Sequence, residues 1–161
     1  MANTIIGIAD LAVAQGANTL TTLGLGSCVG LVLYDKHTKI GGMAHIMLPE
    51  APGNVEQKHK AKYADTAFTE LMRLVLKAGA TKSMLVAKLA GGAHMFSSSV
   101  GNDVMKVGQR NVDMCHSILR QNSLRIAAEE VGGTIGRTIT FDCESGLLLI
   151  KTAWPKTEKT I

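Results

Sequence analysis

The sequence predicts an α+β fold: a layered β-sandwich of mixed and antiparallel sheets with two main helices packed on an outer face. Three observations lead there. Apolar strand-like runs follow one another as hairpins instead of alternating with helices in βαβ units. Only two stretches, 62–76 and 107–121, repeat apolar residues at spacings of three and four. Hydrophobic residues make up 46% of the 161 residues but aromatics only 4%, so the core must be aliphatic, with eight methionines as adaptable filler. Two sheets face to face, with helices on one outer side, would bury every apolar strand face. The length suits one domain over 1–161, and the chain has no internal repeat and no linker.

The elements follow in order. Residues 4–8 (TIIGI) read as a strand, 10–17 as a strand or turn carrying Leu11 and Val13, and 18–23 as the approach to a glycine-rich turn. Residues 29–34 (VGLVLY) and 39–48 (KIGGMAHIML) form a hairpin around a tight turn at 35–38, ended by Pro49. Residues 50–60 are a polar loop bordering the end of that hairpin. Ala64, Ala67, Phe68, Leu71, Leu74 and Val75 form the stripe of the first helix, and Gly79 stops it. A strand at 83–89 is broken by Ala90-Gly91-Gly92-Ala93. Met95 and Phe96 stand beyond it; ordinary core is the first reading, an apolar docking pair the second. The second helix has Val112, Cys115, Ile118 and Leu119 on its apolar face, so Cys115 is expected to be buried and inert. A strand at 124–130, a turn at Gly132-Gly133, and a hairpin of 137–143 with 147–152 complete the core. The charged tail after about residue 154 is expected to fray.

Composition narrows function. The formal net charge is +4, but no basic run is interleaved with aromatics, which argues against nucleic acid. An acidic protein partner is the better reading. No apolar run approaches a membrane span. The first residues lack a basic region, so no signal peptide is expected. Three cysteines do not make a disulfide framework. A reducing cytoplasm, no metal or organic cofactor, and a monomer are expected. CxxC, HxH and HExxH are absent; Gly24-Leu25-Gly26 with Gly30 precedes a strand and is not a dinucleotide loop. Cys115 and His116 point about 100° apart on a helix and do not clamp a metal. Glu129, Glu130, Asp142 and Glu144 read as solvated surface. Arg110 and Asn111 have no chemical role to offer beyond a structural one at a helix start.

The chemistry concentrates in TTLGLGSCVG. Closing the hairpin at 35–38 pairs Tyr34 with Lys39 and sets Cys28 opposite His45, with Cα atoms about 4.5–5.5 Å apart. A bulge at Gly41-Gly42 would slip that register by one. A thiol beside an imidazole makes a candidate nucleophile and base. Backbone N–H groups at Gly26, Ser27 and Cys28 are candidate donors to an oxyanion. Thr22, six residues before Cys28, has a hydroxyl that can orient the imidazole.

The motifs LGLGSCVGLVLYD, GGMAHIMLP, KYADTA, AKLAGGAHMF, VGQRN and GGTIGR occur in this order. Over residues 5–151 the chain thereby resembles the CheD family of chemoreceptor glutamine deamidases. The resemblance implies a layered sandwich with Cys28 as nucleophile, His45 as base and Thr22 as the third member. It implies a cytoplasmic hydrolase that converts receptor glutamines to glutamate in chemotaxis, with glutamate methyl esters as conceivable further substrates. An adaptor that docks a CheC-type phosphatase is the alternative it brings. A small-molecule cysteine amidase, the remaining reading, would need a closed pocket.

Overall fold

Every residue of β4 (Val29–Asp35) and β5 (Ile40–Ile46) is buried, and the two strands form the centre of the fold. Their side chains alternate between two cores. Val29, Leu31, Leu33, Ile40, Ala44 and Ile46 face helices; Val32, Tyr34 and Met43 face a second sheet. Glycine appears where the approach is closest. A Cβ on Gly30 would strike Ile139, and one on Gly42 would meet Leu71 at 2.7 Å and Val75 at 2.8 Å.

The computed structural model describes residues 1–95 and 106–161. One sheet contains β1 (Asn3–Ile6), β3 (Thr19–Leu25), β8 (Arg137–Asp142), β9 (Leu147–Thr152) and β10 (Thr157–Thr160), in the order β1-β3-β8-β9-β10. The other contains β2 (Leu11–Gln15), β6 (Leu85–Gly91) and β7 (Arg125–Val131) with the central hairpin, in the order β2-β5-β4-β6-β7. The pairs β1–β3 and β6–β7 are parallel and the rest antiparallel. Helices α1 (Ala64–Ala78) and α2 (Val107–Gln121) cover the outer face of the second sheet. The layers are therefore sheet, sheet and helices, an α+β sandwich. Neither helix is long and apolar enough to cross a membrane.

Three expectations need correction. The hairpin turn is Lys36–Lys39, so Asp35 pairs with Ile40 and His45 faces Gly30, not Cys28. The cause is Asp35, whose Oδ1 accepts from the N–H groups of His37 (2.9 Å) and Thr38 (3.4 Å) and pulls the turn one residue along. Moving a loop by one moves each partner by two, so every side chain keeps its face. The register then runs unbroken through Gly41 and Gly42, without a bulge. Second, the tail does not fray. β10 pairs with β9, and Ile161 exchanges backbone hydrogen bonds with Leu148 (2.8 and 2.9 Å). Third, two of the acids are paired: Glu129 meets His116 at 2.7 Å, and Glu130 lies 3.6 Å from Arg137 and 3.7 Å from Lys159.

Smaller differences are of extent. The loop after Pro49 ends in a 3₁₀ turn at Gln57–Lys62, and β6 continues through Gly91. Gly79 ends α1 in the left-handed region (φ 118°), where its N–H caps Leu76.

Candidate active site

The chain passes from one sheet to the other at Gly26-Ser27-Cys28, between β3 and β4. The two other candidate residues come one from each sheet. Thr22 comes from β3; it and Leu20 are fully buried. Thr21 faces the other way, its hydroxyl 2.9 Å from both Asn3 Oδ1 and Thr140 Oγ1. His45 comes from β5, is fully buried, and points into the space between the sheets on the same side as Met43.

Thr22 Oγ1 lies 2.7 Å from His45 Nδ1 and 2.7 Å from the carbonyl of Ile6. A carbonyl oxygen can only accept, so the single hydroxyl hydrogen of Thr22 goes to Ile6. Thr22 must then accept from His45, and the imidazole carries its proton on Nδ1. Nε2 is left with a lone pair. It is buried and has no hydrogen-bond partner among the described residues, Cys28 included. Burial pulls the His45 pKa below its ordinary value, which keeps the ring neutral.

Cys28 is half-buried against the core between the sheets. Burial pushes its thiol above the ordinary value, and its own backbone N–H opposes this in part. Both groups therefore rest uncharged. Cys115 and Cys143 are buried, with pKa values pushed up to about 12 and about 11.

All carbonyls of the crossing are engaged. Ala93 N–H donates to Gly26 O (2.8 Å), Gly92 N–H to Cys28 O (2.8 Å), and Asn111 Nδ2 to Ser27 O (3.0 Å). Among the described residues, no acceptor meets the N–H groups of Gly26 and Ser27, and that of Cys28 meets only its own sulfur. A loop pinned through its carbonyls with its N–H groups free can donate to an incoming oxygen. Gly91 completes the seat: it has φ 108°, and a Cβ there would strike Cys28 O.

The family profile described as CheD chemotactic sensory transduction matches residues 47–152. A chemoreceptor glutamine deamidase CheD of Halalkalibacterium halodurans is 51% identical over 91% of each chain. The chain belongs to the CheD family. A probable chemoreceptor glutamine deamidase CheD of Caldanaerobacter subterraneus is 47% identical, again over 91% of each chain. One from Pyrococcus abyssi is 46% identical over 88% of this chain and 86% of its own.

Of the residues singled out in this CheD-family sequence, Thr22 and His45 meet directly, and Cys28, Gly26 and Ser27 lie together in the crossing between the sheets. Met95 is not core: it is 46% exposed, and a Cβ on Gly26 would meet its Cγ at 3.1 Å. It lines a groove of about 610 Å³ with Gly24, Gly136, Lys151 and Trp154. Phe96 lies outside the described residues. His94 is half-buried and its backbone N–H donates to Gly133 O (2.8 Å).

The roles of two residues escaped the sequence reading, which gave Asn111 only a structural one at a helix start. Arg137, 9% exposed, donates to Gly91 O (3.0 Å) and Gly132 O (2.8 Å), bracing the strand end that lies against Cys28. Asn111 is fully buried on α2. Its signal was present, since a polar residue stood in the stripe of Gly108, Val112, Cys115 and Leu119.

Proposed function

We propose that this protein is a protein-glutamine deamidase acting on the cytoplasmic helices of bacterial chemoreceptors in chemotactic adaptation. Cys28 Sγ attacks the side-chain carbonyl carbon of a glutamine. His45 Nε2 accepts the thiol proton as the S–C bond forms and passes it to the departing nitrogen, which leaves as ammonia. N–H groups of Gly26, Ser27 and Cys28 receive the oxyanion. His45 then takes a proton from water, the hydroxide carbon bond replaces the thioester, and the proton returns to sulfur. One water is consumed, and glutamate and ammonia are formed. A glutamate methyl ester offers the same acyl carbon with methanol as leaving group.

The observation that carries this reading is the hydrogen-bond chain from His45 Nδ1 to Thr22 Oγ1 to Ile6 O. It leaves the base with its lone pair on the free nitrogen, in a fold whose relatives bear the name of a glutamine deamidase.

The test is incubation with a cytoplasmic receptor fragment, followed by mass spectrometry. A shift of about one dalton at a glutamine, as exchange of NH₂ for OH requires, is expected. An unchanged fragment, with the same fragment converted by a related deamidase, would contradict the reading.

A further inference from the structure

We infer that Asn111 is a positioning residue that sets the separation between the Cys28 loop and the strand carrying His45. The β4–β5 ladder ends at Val29 paired with Ile46. Cys28 lies one residue beyond it, so no rung of the ladder controls its distance from the imidazole. The next contact outward is made by a side chain. Asn111 Nδ2 donates to Ser27 O and to Met47 O, each at 3.0 Å. Ser27 adjoins the nucleophile and Met47 is two residues past the base, so one amide takes the place of the missing rung.

The assignment of the amide is unambiguous. Only its NH₂ can donate, and two carbonyls require two donors. The helix that carries it is also seated without slack. A Cβ on Gly108 would strike Ala93 O and, at 2.7 Å, the Gly92 backbone; one on Gly92 would strike Val112. Asn111 follows Gly108 by three residues and lies on the same face of α2. The clamp leaves Asn111 Oδ1 buried without a partner among the described residues. That desolvation offsets part of what the two bonds contribute, so the effect of the residue falls more on geometry than on stability.

The inference rests on the deamidase reading for its catalytic readout, and a second readout is independent of it. Asn111→Ala is compared with Cys115→Ala, a change on the same buried helix face within the core that α2 shares with the second sheet. Asn111→Ala is expected to lower kcat on a receptor fragment by about 10- to 100-fold, as a misplaced reacting pair does, with KM changed less than about threefold. Cys115→Ala lowers the melting temperature and keeps kcat. In parallel, the pH profile of Cys28 alkylation by iodoacetamide is measured for wild type, Asn111→Ala and His45→Ala. The Asn111→Ala profile should move from the wild-type curve onto that of His45→Ala. If it coincides with wild type and kcat is kept, the clamp is overturned while the deamidase reading stands. If the wild type converts no glutamine but the alkylation profile still moves, the clamp stands and the deamidase reading fails. Should the alanine variant not fold, Asn111→Ser, which can hold one carbonyl directly and the other through water, decides by the same criteria.

Discussion

The two ends of the β4–β5 hairpin are made of the same strands and are opposite in character. At the turn, the carboxylate of fully buried Asp35 is saturated: Oδ1 accepts from His37 and Thr38, and Oδ2 from Thr81 N–H at 2.9 Å. At the other end polar groups stand unmet. Among the described residues, His45 Nε2 and Asn111 Oδ1 are buried without partners, and the N–H groups of Gly26 and Ser27 meet no acceptor. A buried unmet group carries a desolvation cost of about 1–3 kcal/mol. One end of the hairpin thus contributes stability, and the other gives up stability to hold chemistry ready. Substitutions should separate accordingly, with loss of turnover at one end and loss of stability at the other.

The largest effect is expected from Cys28→Ala. Deamidation of a receptor fragment should disappear, with the melting temperature unchanged, because the thiol is only half-buried and, among the described residues, makes no hydrogen bond to another residue. Thr22→Val comes next. It preserves shape and removes the acceptor for His45 Nδ1, so the ring loses its fixed tautomer. A general base contributes about 10²- to 10⁴-fold, and a fall of about 10- to 100-fold in kcat is expected for the orienting group. Thr21→Val, which faces Asn3 and Thr140, should change kcat by less than about threefold; equal losses for the two threonines would break the comparison.

Asp35→Asn tests the other end. It should lower unfolding free energy in urea by about 2–4 kcal/mol, from the loss of charge-assisted hydrogen bonds, with kcat per folded molecule intact. The sign of its pH dependence follows from its pKa. Burial acts to raise it, but the N–H groups of Thr81, His37 and Thr38 outweigh burial and hold the carboxyl below its ordinary value. Its contribution is therefore present above the unfolded carboxylate value of about 3.9 and is lost as pH falls through the lower folded value. Acid unfolding of Asp35→Asn should accordingly lack that component.

The smallest effect expected is one of order among cysteines. Iodoacetamide should label Cys28 first in the folded protein, since Cys115 and Cys143 are buried and their thiols are pushed to about 12 and about 11.

How far these regions were legible in the sequence differs for physical reasons. Apolar periodicity marks α2 to its first and last residue, because its stripe faces one sheet. The face of His45 was legible although its partner was not: side-chain direction depends on parity, which a two-residue shift preserves, whereas the partner depends on where Asp35 draws the turn. The strand β10 was hidden because TEKT is exposed throughout, so it carries charge instead of the alternation that reveals a half-buried strand. The roles of Asn111 and Arg137 were hidden for the opposite reason. Asn111 stood out as a polar residue in an apolar stripe, but the partners of both are backbone carbonyls, and no sequence pattern records a carbonyl's direction.

The central claim is that Thr22 holds His45 as the neutral tautomer with its proton on Nδ1. The ¹⁵N spectrum of histidine-labelled protein near pH 7 tests it most directly. The account predicts a His45 ring with protonated Nδ1 and unprotonated Nε2, persisting below the ordinary histidine pKa of about 6.5 because burial lowers its own, and lost in Thr22→Val. A ring protonated on Nε2, or an imidazolium at neutral pH, would contradict it.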